Sequence, residues 1–295
     1  MKKRSLSRRE FLKEGAGAAL AGTVMLSVPF TVSARDKIRV VMVRDAGLFD
    51  EAGYLRAATV QQMLDRAVLA LLEEKDPVTA WKKLVMADDI VGIKTNVWKN
   101  LPTTAEVENA IKTRVMAAGI PEKSISIRDR GVLSDPIFQN ATALINARPM
   151  RTHHWSGLGT CLKNYIMFVP RPPEYHDDSC ADLALLWNLP VTRNKTRLNI
   201  LVMFTPLFHS IGPHGFNPEH TWRYNGLIVG RDPVAVDAVG RRIIEAKRRE
   251  FFGEDRPLNP PAKHIDLAET RHHMGVADPA RIELIKLGWQ EGVMI

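Results

Sequence analysis

The sequence predicts an α/β fold in which helices flank a mostly parallel sheet. Short segments rich in β-branched residues alternate with segments whose apolar residues recur at helical spacing. Strands that are apolar on both faces are typical of a parallel sheet with helices on either side. No internal repeat or low-complexity tract interrupts the alternation. We therefore expect residues 35–295 to form a single α/β domain.

The alternation is clearest in the first half of the mature chain. Three segments there are expected strands, at residues 38–43, 89–94 and 124–127. Apolar residues recur every three or four positions over residues 60–72 and 106–118, which predicts two amphipathic helices. Gly119 and Pro121 end the second of these helices.

The second half begins with an irregular region. Residues 149–218 are rich in His, Pro, Trp and Asn, and among them residues 198–204 form an expected buried strand. A shorter strand is expected at residues 226–230. Asp232 then caps a helix that begins with Pro233, as Asp and Pro commonly do at these two positions.

Residues 1–34 have the three parts of an export signal. Arg8 and Arg9 stand before a polar residue, an aromatic and a leucine, an apolar segment follows as far as Phe30, and small residues ending at Ala34 offer a cleavage site. The apolar segment is short for a membrane anchor and contains several glycines. We therefore expect a twin-arginine signal peptide, recognised by the twin-arginine translocase. The mature protein would then be periplasmic or extracellular, with no permanent membrane span.

Charge and cysteine content exclude several classes of function. Residues 1–34 contain six Lys or Arg and two Glu, so they account for half of the formal net charge of +8. The charge left on the mature chain does not favour nucleic-acid binding. Cys161 and Cys180 form no Cys-x-x-Cys pair, so neither an iron–sulfur cluster nor covalently attached haem is expected. An oxidising compartment would permit a disulfide between them, but we expect two free thiols.

Two loops that follow apolar segments contain the candidate ligand-binding residues. Lys94 and Asn96 come directly after the second expected strand, and they offer a cation and an amide to an anionic or carbonyl-bearing ligand. The alternative for this loop is a solvated strand end. Lys163 and Asn164 repeat the pairing at the end of a polar loop over residues 151–164.

Histidines in the same polar loop are the candidate metal ligands. His153 and His154 are adjacent, and imidazole is a common ligand of transition metals. Adjacent strand residues point to opposite faces, so at most one of them is expected in a given site. Three more histidines lie within residues 209–220, but their spacing matches no standard metal motif. The polar loop over residues 151–164 also lacks a complete phosphate-binding glycine motif, so no nucleotide is expected.

Several segments together resemble the domain of unknown function 362 family. The segments are residues 91–96, 162–164, 229–238 and 273–279, and the resemblance covers roughly residues 38–290. Through it, Asp237 becomes a further candidate ligand-binding residue, although the helix dipole would also stabilise a carboxylate there. Many members of the family carry a ferredoxin-like, cysteine-rich module, which implies redox chemistry. This chain lacks those cysteines.

Two functions stay open from the sequence. The first is an exported enzyme or redox-linked protein that holds a transition metal or a small anionic ligand in a loop-lined cleft. In it, Lys94 and Lys163 fix negative charge, Asn96 and Asn164 orient it, and His153 or His154 binds metal or moves protons. The second is a cofactor-free binding or assembly protein that docks on an exported electron-transfer partner, such as a cytochrome. The sequence identifies neither a substrate nor an oligomeric state.

Overall fold

Eight strands form one sheet, and the predicted α/β fold is confirmed. The structure is a computed structural model that describes residues 37–210 and 215–295, so the expected signal peptide lies outside the described residues. The strands are β1 (Ile38–Arg44), β2 (Val91–Lys94), β3 (Ile125–Arg128), β4 (Ala143–His153), β5 (Gly157–Gly159), β6 (Thr196–Leu207), β7 (Gly226–Gly230) and β8 (Ile282–Gly288).

The order of the strands places the middle of the chain at the centre of the sheet. The order is β3-β2-β4-β6-β7-β1-β8, and β5 pairs with β4 outside this path. Neighbours are parallel except that β7 runs antiparallel to both β6 and β1, and β5 runs antiparallel to β4. The carboxyl ends of β2, β3 and β4 therefore meet at one edge, where ligand sites form in open α/β sheets.

Helices cover both faces of this sheet. They are α1 (Ala57–Leu72), α2 (Pro77–Lys82), α3 (Ala105–Ala117), α4 (Pro136–Gln139), α5 (Cys161–Asn164), α6 (Asp177–Cys180), α7 (Pro233–Phe252) and α8 (His264–Thr270). The short segment α6 is irregular, because Asp178 and Ser179 have non-helical φ and ψ angles. The Asp232 carboxylate accepts hydrogen bonds from the N–H groups of Val234 and Ala235, so it caps α7 as predicted. Across residues 37–210 and 215–295, no helix has the length and apolar character needed to cross a membrane.

Two apolar cores cover the two faces of the sheet, because adjacent strand residues point in opposite directions. In β1, Val40 and Met42 lie in one core, and Val41 and Val43 lie in the other. The first core also contains the inner face of α7, and the second contains the inner faces of α1 and α3. Burial on both sides explains why most strands are nearly continuous apolar runs.

Three of the strands, β4, β5 and β8, were not predicted from the sequence. β4 is the most informative, because all eleven of its residues are buried at the centre of the sheet. Asn146, Arg148 and Arg151 interrupt its apolar pattern, and Pro149 is uncommon in a central strand. Its register with β6 shifts between Pro149 and Arg151, an irregularity that can re-aim side chains beside a functional site.

Candidate functional site

A cleft of about 280 Å³ opens at the carboxyl ends of β2, β3 and β4. It brings together residues from both loops that the sequence singles out, Asn96 from the first, and Arg151, His153, Lys163 and Asn164 from the second. The second group does not come from an irregular loop. Arg151 and His153 end β4, whereas Lys163 and Asn164 belong to the single turn of α5.

Lys94 lies behind the wall of this cleft and forms a buried ion pair. Its side chain is fully buried, and Nζ donates hydrogen bonds to Asp129 Oδ1 at 2.6 Å and to the Thr95 carbonyl oxygen at 2.7 Å. The other oxygen of Asp129 accepts from the Val97 N–H at 3.0 Å. Burial lowers the pKa of Lys94 to about 8, and Asp129 opposes that shift. The charge of Lys94 is therefore balanced within the protein.

The two candidate asparagines have different surroundings. Asn164 is buried, and its Nδ2 donates to Asn146 Oδ1 at 2.8 Å and to the Lys94 carbonyl oxygen at 3.2 Å. Asn146 donates in turn to Asn199 Oδ1 at 3.0 Å, so a row of amides connects α5 with β4 and β6. Asn96 accepts from Arg151 Nη2 at 3.5 Å. Asn164 therefore fixes α5, whereas Asn96 orients a cation in the cleft.

Asp237 is fully buried and does not line the cleft. Its two oxygens accept hydrogen bonds from the N–H groups of Cys161 and Leu162, each at 2.8 Å. These are the first two residues of α5, so Asp237 orients the turn that contains Lys163. Burial raises the pKa of Asp237 to about 7, although these hydrogen bonds favour the ionised form. A carboxylate engaged in this way positions other residues, which differs from the direct ligand contact expected from the sequence.

Arg148, Arg151 and Lys163 place positive charge in the cleft without a direct ion pair, although the Asp129 carboxylate also lines the cleft. Their exposed fractions are 3%, 4% and 2%. Across residues 37–210 and 215–295, none of them lies within 4.0 Å of a carboxylate oxygen, and Arg148 Nε, Arg151 Nε and Arg151 Nη1 have no hydrogen-bond partner. Burial lowers the pKa of all three groups, to about 8 for Lys163, and Arg148 adds repulsion to the other two. Asp129 opposes this shift at Arg148 and Arg151, and Cys180 opposes it at Lys163. Buried charge without a partner is costly, so this arrangement favours a bound anion.

Aromatic rings line the other side of the cleft. The guanidinium of Arg151 lies 4.3 Å from the centre of the Trp98 ring, and Trp155 stacks on His176 with 3.8 Å between ring centres. His153 also lines the cleft, and its Nδ1 accepts from the Trp155 N–H at 3.2 Å. Burial, and then the nearby Lys163, lower the pKa of His153, so this ring is held neutral.

The histidines are not assembled into a metal site in the described part of the chain. His153 and His154 stack with 4.9 Å between ring centres, and only His153 lines the cleft. Across residues 37–210 and 215–295, no group of three or more His, Cys, Asp or Glu side chains could hold a metal ion. His209 contributes to a different cavity, and His214 lies outside the described residues. Cys161 and Cys180 are both buried free thiols.

Sequence patterns did not single out Arg148 and Asp129, and they placed Arg151 in the second polar loop without giving it a role. Asp129 directly follows β3, so the strand-end rule that identified Lys94 could have identified it as well. Arg148 and Arg151 are three residues apart and would point to opposite faces of a regular strand. Both line one cleft in the structure, and the register shift of β4 lies between them.

A larger cavity of about 320 Å³ lies beside α7, but three carboxylates lie among its four cations. Arg241 pairs there with Asp266 at 2.7 Å, so this cavity has less need of a charged ligand. The cleft at the ends of β2, β3 and β4 is therefore the better candidate.

Comparison with known proteins agrees with the family resemblance. The family model of the domain of unknown function DUF362 matches residues 50–242, a segment that includes every residue lining the cleft. No curated protein and no solved structure matches the chain significantly. The family match covers more than half of the chain. The chain therefore belongs to the DUF362 family.

Proposed function

We propose that this chain is an exported protein that binds a small anionic ligand in the cleft between β4 and α5. The observation that carries this proposal is the buried positive charge of Arg148, Arg151 and Lys163, none of which has a direct ion pair among the described residues. Carboxylate or phosphate oxygens would accept hydrogen bonds from the N–H groups that have no acceptor among the described residues. A cleft of about 280 Å³ is at the small end of ligand sites, which favours a ligand of few atoms.

Arg151 is held in place for such a contact. Its guanidinium lies over the ring of Trp98 and donates through Nη2 to Asn96, whereas Nε and Nη1 make no hydrogen bond within the described residues. A guanidinium that is already oriented loses little conformational entropy when an anion binds. Trp98 and Asn96 are uncharged, so we expect them to support anion binding by orienting the Arg151 guanidinium.

Charge also favours an anion over the metal that the sequence left open. Arg148, Arg151 and Lys163 all lower the pKa of other basic groups in the cleft, which supports a site that disfavours added positive charge. A metal cation beside His153 would meet the same repulsion. An anion would be attracted by all three groups.

Isothermal titration calorimetry of the mature chain tests the binding proposal. The probes are inorganic phosphate, succinate and pyruvate at constant ionic strength. We expect at least one of them to bind with a single saturable site and Arg151→Gln to weaken that binding about 10- to 100-fold, as for loss of a charge-assisted hydrogen bond. Arg193→Gln is the matched control, because Arg193 is exposed and outside the cleft. Absence of binding by all three probes, or equal binding by Arg151→Gln, would contradict the proposal.

The export part of the proposal is supported by the pattern of residues 1–34 alone. Changing Arg8 and Arg9 together to Lys should leave the precursor in the cytoplasm, because an ammonium does not reproduce guanidinium geometry. Arg4→Lys is the control, since it alters a basic residue outside the pair. Cell fractionation with an antibody to the mature chain measures the outcome. Normal processing of the double variant would exclude the twin-arginine route.

A further inference from the structure

Lys163 differs from Lys94 in what its amino group contacts. Lys94 Nζ is bound by the Asp129 carboxylate, whereas Lys163 Nζ forms one hydrogen bond within the described residues, to Cys180 Sγ at 3.4 Å. A thiol sulfur is a weak acceptor. Burial raises the pKa of the Cys180 thiol, so the sulfur stays uncharged and does not balance the ammonium. Cys180 raises the pKa of Lys163, but a neutral thiol holds the proton less firmly than the Asp129 carboxylate holds that of Lys94.

The rest of the cleft also favours the neutral amine of Lys163. Burial lowers the pKa of Lys163 to about 8 against the opposing effect of Cys180, and Arg148 and Arg151 act in the same direction as burial. Lysines that are removed from water and lie beside other cations are the ones that act as nucleophiles toward carbonyl groups. Asp237 fixes the turn of α5, so the amine is directed into the cleft from an anchored backbone.

The backbone around Cys180 is unusual in the same place. Asp178, Ser179 and Cys180 have φ angles of 49°, 59° and 62°, in the left-handed region that residues with a side chain rarely adopt. Three consecutive residues of this kind are held only when their surroundings require it, and they concentrate at functional sites. Here they bring the Cys180 sulfur against Lys163.

We infer that Lys163 forms a Schiff base with a small 2-oxo acid whose carboxylate lies against Arg148 and Arg151. This inference rests on the proposed anion-binding function and names the class of ligand. The unshared electron pair of Nζ attacks the carbonyl carbon, and the carbonyl oxygen gains a proton to give a carbinolamine. The oxygen then leaves as water with the second proton of the amine, and a carbon–nitrogen double bond remains. No oxidant or reductant takes part in this condensation.

Reductive trapping tests the inference on the mature protein. The protein is incubated with pyruvate, treated with sodium cyanoborohydride, and digested for peptide mass mapping. We expect the reduced pyruvate adduct on Lys163 at a level at least tenfold above that on any other lysine, although Lys163 is among the least exposed. Lys94 in the same sample is the internal control. Lys163→Arg, checked for folding by circular dichroism, should lose the adduct.

The outcomes separate this inference from the binding proposal. Lactate has the carboxylate of pyruvate but no carbonyl group, so calorimetry with lactate reports anion binding alone. Binding of lactate together with no pyruvate adduct on Lys163 would overturn the Schiff base and leave anion binding in place. No binding and no adduct would overturn both. Adducts spread over exposed lysines, with Lys163 unmodified, would also overturn the assignment of Lys163.

Discussion

Buried positive charge forms an ion pair with a carboxylate on one side of the site but not on the other. On the paired side, Lys94 contacts Asp129 at 2.6 Å. On the unpaired side, Arg148, Arg151 and Lys163 are almost as deeply buried but have no carboxylate within 4.0 Å among the described residues. Burial alone therefore does not separate the two sides, whereas the counter-charge does. We expect that the paired side stabilises the fold, and under the proposed function the unpaired side keeps its charge for a ligand.

The largest expected effect comes from breaking the paired side. Asp129→Asn leaves the buried ammonium of Lys94 without its counter-charge, and we expect a loss of about 3–5 kcal/mol in the free energy of unfolding. Urea unfolding of residues 35–295 measures this loss. Glu174→Gln is the control, because it removes a carboxylate from an exposed pair with Arg171, where about 1 kcal/mol or less is at stake. Equal, small losses in both variants would mean that the paired side does not stabilise the fold.

Removing a cation from the unpaired side should weaken ligand binding without lowering the free energy of unfolding. Lys163→Met keeps most of the side-chain volume and removes a buried charge, so the free energy of unfolding without ligand should stay the same or rise. Binding of an anionic probe should weaken by about 1.5–3 kcal/mol. Calorimetry and urea unfolding of the same preparation measure both quantities. A clear loss of stability in the absence of any anion would place Lys163 with Lys94, as a structural cation.

The pH dependence of the free energy of unfolding tests the same contrast at Lys163. The pKa of Lys163 is about 8 in the folded protein and about 10.5 in the unfolded chain, so between these values the unfolded chain binds more protons. Stability contributed by this group therefore rises as the pH increases from 8 to 10.5. Relative to Lys163→Met, the wild type should gain about 1–3 kcal/mol over this interval. A constant difference between the two proteins across the interval would show that Lys163 is not destabilised by burial.

The sequence predicts much of this fold but not the distinction between the two sides. Apolar runs identify β1, β2, β6 and β7, because both faces of these strands are covered. β4 was not predicted, because the polar residues that face the cleft make its sequence resemble a loop. Lys163 was accordingly predicted to lie on a loop, whereas it lies buried in α5.

Local sequence patterns also do not identify the side chain with which each lysine pairs. Lys94 and Lys163 look alike in sequence, because each is followed within two residues by an asparagine. What separates them is Asp129, which comes from the end of β3, 35 residues beyond Lys94. Pairing of that kind depends on how the strands are ordered in the sheet, and neither spacing nor composition contains this information.

A crystal structure of residues 35–295 with bound pyruvate tests the central claim most directly. We expect the carboxylate of pyruvate at about 2.7–3.2 Å from Arg151 Nε or Nη1 and from Arg148 Nε, the groups that have no partner among the described residues. Lys94 should stay paired with Asp129 in the same crystal. A carboxylate bound to Lys94 in place of Asp129, or an empty cleft with pyruvate bound elsewhere, would contradict the division of the site into a paired and an unpaired side.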